Sequence, residues 1–135
     1  MPDELAERFD FGAALIAEAA ALAQRFYDRQ ASLTVRSKGT QDVVSEADTE
    51  VERLIRGAVE ARFPSDAFFG EEFGHNEIEG AEDVWIVDPI DGTQPFLSGL
   101  SSWCVSIGFA RRGRLEMGFV AAPARDEIFL GRRGT

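Results

Sequence analysis

Apolar residues recur at intervals of three and four along the first part of the chain, where Phe11, Leu15, Ala19, Leu22 and Phe26 form one stripe in an alanine-rich stretch. That period predicts an amphipathic helix, and alanine lowers its conformational cost. Val51, Leu54, Ile55, Ala58 and Val59 repeat the pattern and predict a second helix. Asp48 stands at its expected start, where a carboxylate can cap free N–H groups and favour the helix dipole, and Arg62-Phe63-Pro64 should end it. Between the helices, residues 33–35 and Val43-Val44 read as short strands around a Lys38-Gly39 turn. Beyond Pro64 the period changes. Residues 67–70 and 84–87 are apolar runs of strand length, separated by the polar, acidic stretch 74–83, which reads as an exposed loop. Residues 103–110 and 115–121 flank the charged segment Arg111-Arg112-Gly113-Arg114 and predict a hairpin, with a further strand at 127–130. The pattern gives an α+β fold, two long helices packed on an antiparallel-rich sheet. No repeat, linker or low-complexity tract divides the chain, so residues 1–135 read as one domain.

Composition narrows the function classes. Hydrophobic residues make up 44% of the 135, enough for a sizeable core and too many for general disorder. The 24 acidic and 14 basic residues leave a formal charge of −10. That average field repels phosphate backbones and argues against nonspecific nucleic-acid binding, while bound cations could still reverse it locally for a small anionic substrate. The single cysteine, Cys104, lies in an apolar run and reads as a buried thiol. The acidic start Met1-Pro2-Asp3-Glu4-Leu5 lacks the basic region of a secretory signal, and no apolar run is long enough for a bilayer. Cytoplasm is the expected location, without a membrane partner.

The chemistry concentrates at Trp85-Ile86-Val87-Asp88-Pro89-Ile90-Asp91-Gly92-Thr93, where an apolar run ends in two carboxylates followed by a glycine and a threonine. A buried strand would fix the backbone, Pro89 restrain the turn, and Gly92 admit a ligand closely. Hard divalent cations such as Mg²⁺ favour carboxylate and carbonyl oxygens, so this stretch suits metal-assisted attack on a phosphate. Taken alone, it reads equally well as an ordinary Asp-Pro, Asp-Gly turn. Upstream, Gly70-Glu71-Glu72 again places acids where a short apolar run stops, and such a pair is costly unless a cation joins it.

The Lys38 segment, Ser45-Glu46-Ala47-Asp48, Gly70-Glu71-Glu72 and the run from Trp85 to Thr93 together resemble, in order and spacing, the amino-terminal half of the inositol monophosphatase family. Those proteins are Mg²⁺-dependent, lithium-sensitive phosphomonoesterases with an α/β/α/β sandwich fold. The resemblance implies Glu71, Asp88 and Asp91 as metal-binding carboxylates, the Ile90 carbonyl as a further ligand, and two or three Mg²⁺ ions in the complete site. It gives Glu71 a catalytic part, and makes Thr93 the residue that orients the attacking water, with Asp48 holding its hydroxyl. Gly92 and Thr93 would offer N–H groups to the phosphate, and Lys38 would sit beside it.

The same resemblance implies more than this chain shows. Family members take a last aspartate ligand, and most residues that contact the alcohol, from a second α/β domain, so these 135 residues are expected to form the amino-terminal metal- and phosphate-binding half. Inositol monophosphate is the leading substrate. Glu72-Phe73-Gly74 and residues 96–100 look closer to histidinol-phosphate phosphatases, which makes histidinol phosphate the first alternative. Gln94-Pro95-Phe96 departs from the threonine and asparagine that precede the phenylalanine in many inositol-active members. An inactive metal-binding or assembly domain is a reading of another class. For a complete enzyme the resemblance implies a homodimer.

Overall fold

The computed structural model describes residues 3–32, 37–70, 75–76 and 81–134, with backbone alone for 30–32, 37–45, 75–76, 94 and 97. Helix α1 spans Glu4–Ser32. Its first turn is capped by Asp3, whose carboxylate accepts the N–H groups of Leu5 and Ala6 at 3.0 and 3.2 Å. Glu4 and Glu7 in the first turn and Arg29 in the last complement the dipole. Helix α2 spans Ser37–Arg62 and stops at Phe63-Pro64, as its sequence requires.

The amino-terminal end of α2 corrects three expectations. The Lys38-Gly39 turn and the Val43-Val44 strand are helical, and Asp48 sits inside the helix instead of capping it. Val44, Ala47, Val51 and Ile55 are spaced by three, four and four, so the valines that suggested a strand also continue the helical stripe. No proline interrupts the stretch. The strand expected at 33–35 lies outside the described residues.

Among the described residues six strands follow: β1 Ala67–Gly70, β2 His75–Asn76, β3 Asp83–Asp91, β4 Cys104–Arg111, β5 Arg114–Ala122 and β6 Glu127–Arg132. They form one sheet in the order β2-β1-β3-β4-β5-β6. All neighbours are antiparallel except β1 and β3, which run parallel with Gly70 beside Val87. Strand β2 falls within the stretch expected to be loop. The hairpin between β4 and β5 turns at Arg112-Gly113, as its charged segment predicts. The α+β class and the two long helices on an antiparallel-rich sheet are as the sequence indicates.

Both helices cover one face of the sheet. Leu15, Ile16 and Ala23 of α1 and Val51, Ile55 and Val59 of α2 are buried with Trp85, Val105, Ile107, Phe109 and Phe119 of the strands. Alternation is strict along β4, where Val105, Ile107 and Phe109 are buried and their neighbours are not. Helix α1 presses directly on β5 at Gly12, where any Cβ would fall 2.3 Å from the Phe119 ring. At the far end from the carboxylates, Arg8 is buried over the Phe63 ring and donates two 2.9 Å hydrogen bonds to Asp66, which also accepts the Trp85 indole N–H at 2.8 Å. Burial disfavours the Arg8 charge most, yet Asp66 and then Asp83 outweigh it and lift the guanidinium pKa. Among the described residues no helix is long and apolar enough to cross a membrane.

Candidate metal and phosphate site

Strand β3 lies inside the sheet, and its Trp85 and Val87 face the helices. A regular strand would send residues three apart to opposite faces. Here the pairing runs Asp88 with Ser106 and then Asp91 with Cys104, so Pro89 and Ile90 together oppose Val105 alone. This is a β-bulge, with one extra residue in β3. Ser106 and Cys104 share a face, and residues directly opposite one another do as well, so the bulge turns Asp88 and Asp91 to the same open side of the sheet. The Cys104 thiol confirms the grouping: its sulfur is 3.9 Å from an Asp91 oxygen. Burial first, then the charges of Asp91 and Asp88, push its pKa up. A thiol kept protonated is a poor nucleophile and a poor metal ligand.

Strand β3 ends in Gly92, whose φ of 99° lies in the left-handed region. A Cβ there would also come within 3.0 Å of the Ser102 carbonyl oxygen and 3.2 Å of Trp103 Cα, so glycine is required by backbone and by space. Thr93 opens the short helix α3, Thr93–Leu97, and is exposed. The helix is pinned from below. Buried Phe96 packs on Trp103 and Tyr27 with ring centroids 4.9 and 5.6 Å away, and the Tyr27 hydroxyl donates to the Gly99 carbonyl at 2.6 Å.

On the helix face of the sheet, under Gly70, lies an acid that the sequence did not single out. Glu52 of α2 is fully buried, with its carboxylate against Gly70; a Cβ on Gly70 would lie 2.5 Å from Glu52 Cδ. Asp48 stands one turn earlier on the same helix, partly buried, and α2 packs against both β3 and α3. Lys38 belongs to the first turn of α2, and only its backbone is described. Glu71 and Glu72 lie outside the described residues; Gly70, which precedes them, is paired with Val87, which precedes Asp88.

Among the described residues no group of three or more His, Cys, Asp or Glu side chains stands close enough to hold a metal ion. Of the expected ligand set, Asp88, Ile90 and Asp91 are described. The chemistry of the described pair suits a hard cation: two carboxylates share one face, with Pro89 and Ile90 between them, and the nearby sulfur is held neutral.

Residues 4–135 match the inositol monophosphatase family. The chain belongs to that family. Its relatives include the inositol-1-monophosphatase of Rhizobium meliloti, 40% identical over 115 residues, or 84% of this chain and 42% of that protein. The histidinol-phosphatase of Chlorobaculum parvum is 39% identical over 109 residues, 81% of this chain and 42% of that one. Among solved structures, the inositol monophosphatase of Anabaena superposes with a TM-score of 0.82 at 26% identity, covering 98% of this chain and 46% of the other. The chain thus spans less than half the length of these inositol monophosphatase-family relatives. Two relatives whose names carry different phosphorylated alcohols are equally similar to it, so likeness in this half does not choose between them.

Proposed function

We propose that this chain supplies the metal- and phosphate-binding half of a Mg²⁺-dependent phosphomonoesterase that hydrolyses inositol monophosphate to inositol and phosphate. The observation that carries the reading is the β3 bulge, which turns Asp88 and Asp91 to one face immediately before the Gly92 turn and exposed Thr93. Asp88, Asp91, the Ile90 carbonyl and Glu71 would hold the two or three Mg²⁺ ions. Bound Mg²⁺ would neutralise the phosphate and lower the pKa of water for in-line attack. The Thr93 hydroxyl orients that water, Asp48 steadies the hydroxyl, the Gly92 and Thr93 N–H groups receive the phosphate, and Lys38 adds positive charge. No covalent enzyme intermediate is needed.

Histidinol phosphate is the second reading, favoured by the 39% identity to a histidinol-phosphatase. Because the chain covers less than half of its relatives, we take turnover to need groups beyond these 135 residues, and the working enzyme to be a cytoplasmic homodimer. Without those groups the chain is a metal-binding or assembly domain. Two measurements test the proposal. With those groups supplied, phosphate release from inositol monophosphate, histidinol phosphate and adenosine 3′,5′-bisphosphate, with Mg²⁺ or chelator, should be chelator-sensitive and highest for the first; chelator-insensitive release overturns it. Calorimetric titration with Mg²⁺ should show weak binding that Asp91→Asn removes. Equal binding by the variant would refute the metal assignment even if the chain alone has no turnover.

A further inference from the structure

Helix α3 has only five residues, yet the turn that follows makes a larger unit of it. The Phe96 N–H donates to the Gly92 carbonyl at 3.0 Å, the Gly99 N–H to the Phe96 carbonyl at 3.3 Å and the Leu100 N–H to the Pro95 carbonyl at 2.8 Å. The last two bonds, with Gly99 at a φ of 74°, form a Schellman cap that ties residues 92–100 into one piece. Thr93 stands near one end of that piece and Gly99 near the other. The cap uses the carbonyls of Pro95 and Phe96 and leaves that of Gly99 for another donor. Tyr27 of α1 supplies it, with its hydroxyl 2.6 Å away.

We propose that Tyr27 is a positioning residue for the reaction: its hydroxyl clasps the Gly99 carbonyl, fixes the 92–100 unit and so holds the Thr93 hydroxyl where the attacking water must be. The inference rests on the role proposed above for Thr93. The ring and the hydroxyl of Tyr27 do separate jobs. Its ring meets Phe96 and Trp103 with centroids 5.6 and 5.2 Å apart, contacts that a phenylalanine would keep. Ring contacts allow sliding, whereas a hydroxyl-to-carbonyl bond has a direction and a length. A group that orients a reacting water has to be held within about 0.5 Å, which calls for such a bond. The clasp also starts from firm ground, because Ile16, Ala19 and Ala23 of the same helix are fully buried. It ties the turn beside the carboxylates to the helix layer, from the side of the sheet away from Asp88 and Asp91.

Native-state amide exchange on the 135-residue chain tests the clasp, and turnover of inositol monophosphate, with the groups beyond these residues supplied, tests its consequence. Tyr27→Phe keeps the ring and should speed exchange at Phe96, Gly99 and Leu100 roughly two- to tenfold, the worth of one neutral hydrogen bond. Ile16→Val loosens the buried core of the same helix and should leave those three amides unchanged, since they open locally. In turnover, Tyr27→Phe should lower kcat on the order of tenfold with the Mg²⁺ requirement unmoved. In a Thr93→Ala background the same change should have no further effect. Unchanged amides in Tyr27→Phe overturn the clasp, and losses that simply add in the double variant overturn the route through Thr93. A silent Thr93→Ala would refute the role given to Thr93 itself, a failure of the functional reading that leaves the exchange result to decide the clasp.

Discussion

Gly70 has an ordinary backbone conformation, so it is space that keeps this position a glycine, and a single added methyl group measures how tightly Glu52 packs against β1. A Cβ would lie 2.5 Å from Glu52 Cδ and 2.6 and 2.7 Å from its carboxylate oxygens. Non-bonded carbons prefer roughly 3.5 Å or more, so Gly70→Ala must drive a fully buried carboxylate back by about 1 Å. Overpacking of that kind costs about 1–3 kcal/mol. Disturbing the hydrogen bonds of a buried polar group adds about 1–3 kcal/mol. The backbone term runs the other way, because alanine in a strand recovers roughly 0.5–1 kcal/mol relative to glycine. The steric terms win, and the expected loss is about 1–5 kcal/mol. For a chain of this size that is a fall in Tm on the order of 10 °C. Urea unfolding followed by circular dichroism should show a lower midpoint with an unchanged slope. Glu52→Asp withdraws the carboxylate by one methylene, so the double variant should lose less than the two single losses added together. A Gly70→Ala chain as stable as wild type, or strict additivity in the double variant, would refute the packing argument.

Three further outcomes are expected. Arg8→Met strands the Asp66 carboxylate, whose side chain is 3% exposed, and should cost about 3–5 kcal/mol in denaturant unfolding; a loss under about 1 kcal/mol would mean the pair is dispensable. Asp91→Asn, in metal-free buffer, should move the alkylation profile of Cys104 to lower pH while leaving it above the ordinary thiol range, because burial is the larger cause; an unmoved profile would separate the two groups. Asp3 is held below its ordinary pKa by the N–H groups of Ala6 and Leu5, so its stabilisation is present above the unfolded carboxylate pKa and is lost as pH falls through the folded value. The stability gap between wild type and Asp3→Ala should therefore narrow in acid, and a gap constant down to the lowest measurable pH would show that the cap is not acting through charge.

Wherever one period dominates, the sequence was a good guide. The α1 stripe, the body of α2 and the β4–β5 hairpin carry a clear repeat, and the strands at 67–70, 84–87 and 127–130 are short apolar runs with a clear stop. Val43-Val44 misled because two adjacent β-branched residues suit a strand, while their spacing to Ala47 and Val51 suits a helix equally well. Strand β2 is too short to show any period. Asp88, Asp91, Gly92 and Thr93 stand out in the sequence as candidates, but the bulge that turns both carboxylates to one face does not, since it depends on what β4 sets opposite them. Glu52 was hidden for a similar reason. A glutamate within a charged helix reads as solvent-facing until Gly70 is seen above it.

The parallel pairing of β1 and β3 also determines how the molecule could be divided. A break within residues 77–80 would leave α1, α2, β1 and β2 in one piece and the β3–β6 meander in the other. Glu52, Gly70 and Glu71 would go with the first, and Asp88, Asp91, Gly92 and Thr93 with the second. Neither half would own all the candidate groups, so a chain carrying a protease site there would be a split reporter: cleavage and separation should abolish Mg²⁺ binding, and remixing should restore it only as far as β1 and β3 find each other again.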